Sequence, residues 1–193
     1  MKHAKRTPSA PPGAVRIIGG SLRGSKLAVS LLAGLRPTPQ RLRETLFNWL
    51  RPVIDGARVL DLFAGSGALG IEAISRGAAQ ALFVERDRAQ VARVAADLQR
   101  LHVASAEVRC ADALEFLANA SPQAFDIVFL DPPFEAGLWT RAAELLDAHG
   151  WLAADTYVYV ESPADAAFTL PADWALHREA RAGAVRGALY RRR

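Results

Sequence analysis

Val59-Leu60-Asp61-Leu62-Phe63-Ala64-Gly65-Ser66-Gly67-Ala68-Leu69-Gly70 runs from an apolar strand through a glycine-rich turn into a helix. A strand, tight turn and helix in that order is the opening of a parallel α/β unit, and it decides the fold class. Residues 65–70 fit the G-x-G-x-x-G dinucleotide pattern, and Glu85 follows Gly65 by 20 residues. Asp61 argues against a pyrophosphate, because a second anion at the strand end repels a phosphate that seeks backbone N–H groups. A ligand carrying a sulfonium and an ammonium suits that carboxylate, and glycines let the backbone approach it closely. S-adenosylmethionine is such a ligand.

Downstream, apolar strands and helical stretches alternate: strand 57–62, helix 68–76, strand 80–85, helix 87–102, strand 106–110, helix 111–119 and strand 125–130. This pattern predicts a Rossmann-like, doubly wound, mostly parallel sheet with helices on both faces. A helix over 138–148 and a strand over 157–161 follow. Residues 174–182 and 185–190, split by Gly183-Ala184, read as a closing antiparallel hairpin.

Phe125-Asp126-Ile127-Val128-Phe129-Leu130 runs directly into Asp131-Pro132-Pro133-Phe134. Two prolines remove backbone donors and stiffen the turn, leaving carbonyl acceptors at the strand's end. An exocyclic amine of a nucleobase has two in-plane donors. The Asp131 carboxylate and the Pro132 carbonyl can accept one each while the Phe134 ring stacks on the base. Four acids (Asp61, Glu85, Asp112 and Asp131) close four successive strands, where open α/β sheets bind ligands. Glu85 is placed to accept ribose hydroxyls. Asp112 lies near the adenine edge and can also cap the helix that starts at Ala113. The expected cofactor residues are therefore Asp61, Phe63, Ala64, Gly65, Gly67, Glu85, Arg86, Asp112 and Ala113.

This order of motifs resembles class I adenosylmethionine-dependent amino-methyltransferases, whose catalytic tetrapeptide is Asp/Asn-Pro-Pro-Tyr/Phe. Val15 to Gly20, Arg23-Gly24, Leu27, Arg36-Pro37-Thr38, Arg43 to Leu50, Gly150-Trp151-Leu152 and Tyr159-Val160-Glu161 narrow the likeness to one bacterial family. They are similar to the guanine-N2 methyltransferases of 16S ribosomal RNA that act at guanine 966, over residues 15–190. The resemblance implies methyl transfer from S-adenosylmethionine, leaving S-adenosylhomocysteine, to a guanine N2 of 16S rRNA, with Asp131, Pro132, Pro133 and Phe134 catalytic. It implies a substrate within an assembling 30S subunit and a cytoplasmic enzyme. Two rivals stay open: a DNA or RNA adenine-N6 amino-methyltransferase, and a nucleotide-binding oxidoreductase or non-catalytic module on the same sheet. The second leaves Asp131 to Phe134 without a role.

Charge is segregated along the 193 residues. The net is +4 overall, yet residues 1–58 carry +9, residues 59–175 carry −10 and residues 176–193 carry +5. Basic ends around an acidic core suit a phosphate-bearing partner around a pocket for a cationic cofactor. Arg16, Arg23, Lys26, Arg36, Arg41 and Arg43 are the expected RNA contacts, with Arg41 and Arg43 facing outward from a helix over 40–50. The expected organisation is a basic arm (1–14), a hairpin-and-helix extension (15–55) and a catalytic domain (56–193). The single cysteine, Cys110, reads as a reduced thiol inside a buried strand, and the four scattered histidines give no metal spacing, so no metal is expected. With no long apolar run, the chain is expected to be free of membrane and monomeric.

Overall fold

The computed structural model describes residues 14–28 and 38–193. Its centre is a seven-stranded sheet. Strands β3 (Arg58–Asp61), β4 (Gln80–Glu85), β5 (Ala106–Cys110) and β6 (Phe125–Leu130) are parallel, and β7 (Leu152–Pro163) runs parallel beside β6. The pair β8 (Trp174–Ala182) and β9 (Val185–Arg192) closes the sheet antiparallel, giving the order β5-β4-β3-β6-β7-β9-β8. The chain winds outward from β3 through β4 to β5, then returns to lay β6 on the other side of β3. A crevice opens at that reversal, between the carboxyl ends of β3 and β6.

Period-two alternation divides the core into two layers. Val59, Phe83, Ile127, Phe129 and Tyr159 face helices α1 (Gln40–Leu50), α2 (Ala68–Ser75) and α3 (Arg88–Arg100). Leu60, Leu82, Val128, Leu130 and Val160 face α4 (Ala113–Asn119) and α5 (Trp139–Ala148). Ile127 through Leu130 are all fully buried, as a strand covered on both sides must be. The wholly apolar run at the end of β6 therefore carries Asp131 into the crevice on a rigid support.

The amino-terminal hairpin, β1 (Ala14–Arg16) with β2 (Lys26–Ala28), buries Val15, Ile17 and Leu27 against the first layer. Its anchor is Glu72 of α2, which has no exposed surface and accepts from the Ile18 and Gly19 N–H groups at 2.7 and 2.8 Å. Arg76, one turn on, donates to the same carboxylate at 2.8 Å and lies over the Phe47 ring. The hairpin is thus tied to the helix that follows the glycine-rich turn.

Three expectations need correction. Arg43 does not face outward; it is only 4% exposed, with Nη1 and Nη2 donating to the Arg16 carbonyl and Glu72 at 4.0 Å. It holds the hairpin to α1 and is withdrawn from the surface. Cys110 is exposed, because β5 is the sheet's edge strand. Strand β7 begins at Leu152, five residues before the expected start, and shifts register against β6 between Phe125 and Ile127.

Candidate active site

The glycine turn and the Asp-Pro-Pro-Phe turn meet at the crevice. Asp61 is in register with Phe129, and Leu62 N–H donates to the Phe129 carbonyl at 3.2 Å, so the chain segments leaving β3 and β6 start side by side. Gly65 and Gly67 take positive φ angles of 51° and 72°, and a Cβ on Gly67 would press on Val94 at 3.1 Å. The turn is closed by Gly67 N–H to the Ala64 carbonyl at 2.7 Å, and Ala64 N–H reaches the Val84 carbonyl at 3.0 Å.

Each acid on the β3–β5 side is held by backbone donors. Asp61 Oδ2 accepts from Gly70 N–H at 2.9 Å, across the glycine turn. Glu85 accepts from Gly65 N–H at 2.9 Å and from Asp87 N–H at 2.8 Å. Asp112 caps α4 through Leu114 and Glu115 N–H groups at 2.9 and 3.2 Å. Phe63 is half-buried at the rim, Ala113 is buried in the first turn of α4, and Arg86 is exposed. A carboxylate oxygen has two lone pairs, so each of these acids keeps acceptor capacity toward the crevice.

On the β6–β7 side the partners are few. Pro133 carbonyl accepts from Ala136 N–H at 2.9 Å, starting the short 3-10 turn Phe134–Ala136. Among the described residues no donor reaches the Pro132 carbonyl. Phe134 is half-buried and backed by Trp139, with ring centroids 6.1 Å apart; Trp139 is fixed by its indole N–H to the Glu161 carbonyl at 2.8 Å. Asp131 Oδ2 has the Thr38 hydroxyl at 3.5 Å, a long bond.

Glu161 was missed by the sequence reading as a site residue. Leu130 pairs with Val160, so Asp131 and Glu161 follow on neighbouring parallel strands. Alternation puts Asp61, Asp131 and Glu161 on one face, the face that α1 and α2 cover. Glu161 is 2% exposed and accepts from the Tyr159 hydroxyl at 3.0 Å. A Cβ on Gly187 would stand 2.5 Å from that hydroxyl, so only glycine on β9 leaves room for it. The signal for Glu161 was the same one that singled out the other acids, a carboxylate at the end of an apolar strand.

Asp61 and Glu161 are buried and Asp131 is half-buried on the same face, and carboxyls so placed resist ionisation. Burial raises Asp61 to about 7, against the Gly70 N–H and with some help from Glu85. Burial, then the charges of Glu161 and Asp61, raises Asp131 well above the ordinary carboxylate range. Burial also lifts Glu161 to about 7, opposed by hydrogen bonds from Tyr159 and Thr38 and by the Arg43 charge. Carboxyls placed this way suit a ligand with positive charge, which repays their desolvation. The close glycine backbone beside it fits a ligand with no phosphate.

The comparisons with known proteins point to one family. The family model "Conserved hypothetical protein 95" matches residues 15–191. Ribosomal RNA small subunit methyltransferase D of Escherichia coli K12 is 50% identical over 181 residues, covering 93% of this chain and 91% of that protein. This chain belongs to that family. The Haemophilus influenzae methyltransferase D is 45% identical over 188 residues, with 96% and 97% coverage. The solved structure of the E. coli methyltransferase yhhF superposes with a TM-score of 0.85 at 50% identity, covering 93% of this chain and 98% of that one. A more distant RNA methyltransferase from Salinibacter ruber, solved with S-adenosylhomocysteine, shares the fold at a TM-score of 0.61 and 19% identity, over 81% of this chain and 93% of that one. The methyltransferase D family therefore spans the hairpin, α1 and the whole sheet of this chain.

Proposed function

We propose that the protein methylates the exocyclic N2 of a guanine in small-subunit (16S) ribosomal RNA, with S-adenosylmethionine as donor. The observation that carries this reading is the pairing of the half-buried Asp131 carboxylate with a Pro132 carbonyl that no donor among the described residues reaches, on a rigid turn beside the glycine loop. Asp61, Glu85 and Asp112, with Gly65, Gly67, Phe63, Ala64, Arg86 and Ala113 around them, hold the cofactor. When bound, S-adenosylmethionine supplies an electrophilic methyl group on a sulfonium.

The amine nitrogen of guanine is a poor nucleophile, because its lone pair is delocalised into the ring. Asp131 and the Pro132 carbonyl accept one amine proton each, turning that lone pair out of conjugation and toward the donor. Phe134, braced by Trp139, stacks on the base and fixes its plane. Pro133 holds the turn. Asp131 then takes the proton that the methylated nitrogen releases, so no covalent enzyme intermediate is required.

RNA phosphates meet the exposed cations of the hairpin and α1, namely Arg16, Arg23, Lys26 and Arg41. Arg36, a further candidate, lies outside the described residues. The hairpin-and-helix segment up to residue 55 is the RNA-facing extension in this reading, and a monomer acting in the cytoplasm on an assembling 30S particle is its expected setting. Among the described residues no helix is long and apolar enough to cross a membrane, and no cluster of potential ligands gathers to hold a metal.

Mass mapping of modified nucleosides in ribosomal RNA from cells with and without the protein tests this reading. N2-methylguanosine in the small-subunit RNA is expected only with the protein present. Loss of an N6-methyladenosine instead moves the assignment to the adenine-modifying relatives.

A further inference from the structure

Residues 176–193 carry a net charge of +5 that the transfer step does not use. In the fold, Arg181 stands directly opposite Arg186 on the β8–β9 pair. Arg186 donates to Glu179 at 2.9 Å and lies 3.4 Å from the Tyr190 hydroxyl, and Tyr190 packs on the second layer, so these side chains share the α5 face of the sheet. An open cavity of about 620 Å³ lies on that face, between strand β9 and the loop that follows β7. Thr140, Phe168, Thr169, Leu170, Arg186 and Tyr190 line it. We infer that this cavity is a second nucleotide site, which receives the base and phosphate of the RNA residue next to the target guanosine. The inference rests on the reading of the crevice as the place where that guanosine is methylated.

The cavity opens at the same edge of the sheet as the crevice. Ser162 pairs with Arg186, two residues past the Leu130–Val160 pair that ends β6, so Arg186 stands level with the Asp-Pro-Pro-Phe turn. A row of rings joins the two places. Phe134 lies 6.1 Å from Trp139, and Trp139 stacks on Phe168 with centroids 5.3 Å apart and planes 20° apart. Phe168 is half-buried; it covers Trp139 and also lines the cavity. Neighbouring residues of a single strand can splay their bases and stack them on separate aromatic side chains. The volume falls in the range of small-ligand sites, roughly 300–1,000 Å³. The wall is set before a ligand arrives: Thr169 N–H donates to the Thr140 hydroxyl at 3.0 Å, Ala164 N–H to the Ala184 carbonyl at 2.8 Å and Ala166 N–H to the Pro163 carbonyl at 3.1 Å.

Charge selects the occupant. Like charges directly opposite on neighbouring strands repel. Arg186 Nε and Nη2 donate to Glu179 at 3.1 and 2.9 Å, which answers one of the two cations. Among the described residues no acid pairs with the exposed Arg181, and no acceptor meets Arg186 Nη1. A phosphate diester between the two guanidinium groups supplies the missing anion, with Arg186 Nη1 as a donor to it. The Phe168 and Tyr190 rings supply the apolar surface that a base requires. RNA brings a flat ring and a phosphate together, already tethered to the guanosine in the crevice, so the second contact forms at high effective concentration.

Small-subunit particles from cells lacking the protein serve as substrate, and the full-length chain carries Phe168→Leu or Arg181→Ala, each verified by thermal unfolding. Phe168→Leu keeps an apolar cover on Trp139 and removes the stacking ring; it should raise KM for the particle about tenfold, with the loss in KM and not in kcat. Arg181→Ala removes an exposed side chain; it should raise KM several-fold and reduce the slope of log affinity against log salt by about one. Ultraviolet crosslinking of the wild-type complex should join the peptide holding Phe168 or Tyr190 to a nucleotide adjoining the methylated guanosine. Unchanged KM in both variants overturns the inference, as does a crosslink from that peptide to a ribosomal protein or to a remote nucleotide. A loss confined to kcat in Phe168→Leu also overturns it, because Phe168 would then act only by bracing Trp139. The substrate reading fails separately, if the wild-type protein leaves the particles unmethylated, and the inference falls with it.

Discussion

The two halves of the crevice are built on opposite principles. On the β3–β5 side Asp61, Glu85 and Asp112 each accept backbone N–H groups, so the loops around them are set by the chain itself. On the β6–β7 side Asp131 and Glu161 stand on neighbouring strands, and among the described residues their side chains meet the Thr38 and Tyr159 hydroxyls but no backbone N–H, while the Pro132 carbonyl has no partner. The first half is preset by the backbone. The second holds unsatisfied acceptors ready for the two donors of an amine, which is where electrostatic preorganisation acts.

Substitutions should separate the halves. The largest effect is expected from Asp131→Ala, which should lower the rate of methyl transfer by about a thousandfold while cofactor affinity in calorimetric titration changes little. Equal losses of both would mean the two halves are one site.

Asp61→Asn should alter the pH dependence of stability. Its carboxyl is raised in the folded protein to about 7 and titrates near 3.9 when unfolded, so the folded state binds the extra proton in between. Wild-type stability should therefore fall as pH rises from about 4 through 7, with up to about 4 kcal/mol of the fall due to this group. Urea unfolding at pH 5 and pH 8 should show a smaller difference in the asparagine variant. An identical difference would mean that Asp61 does not carry the proton.

Removing a loop acid should hurt folding before chemistry. Glu85→Ala leaves the Gly65 and Asp87 N–H groups without their partner, at a cost of about 1–3 kcal/mol, and weakens cofactor binding. Asp112→Ala removes the cap of α4 and should cost about 1 kcal/mol in thermal unfolding, with turnover at saturating cofactor retained. The smallest effect is expected from Arg23→Ala: slightly weaker RNA binding, with the slope of log affinity against log salt reduced by about one.

Much of this was legible in the sequence. The bounds of β4, β5, β6 and α1 agree with the residue pattern, because long apolar runs closed by acids or turns leave few alternatives. Asp131 to Phe134 and the glycine turn were readable as chemistry from residue type alone, and the fold has placed them at one crevice. What failed did so for tertiary reasons. Arg43 lies at i, with Leu46, Phe47 and Leu50 at i+3, i+4 and i+7, so helical spacing puts it on the buried stripe; its charge suggested solvent, and only the hairpin and Glu72 make burial tolerable. Cys110 was read as lying in a buried strand, yet β5 also carries Glu107 and Arg109, and its edge position depends on the order of the sheet. Thr38 was read only as part of the motif Arg36-Pro37-Thr38, and its nearness to Asp131 across 93 residues of chain came from the fold. Glu161 carried the same signal as the other acids, and it joined the site when β7 was laid beside β6.

The central claim is that the acceptor atom is the exocyclic amine of guanine. RNA in which the modified guanosine is replaced by inosine keeps every phosphate and the purine ring and lacks only the 2-amino group. Single-turnover transfer to this RNA should vanish while binding stays within a few-fold of the native RNA. Methylation of the inosine RNA at an undiminished rate would contradict the account.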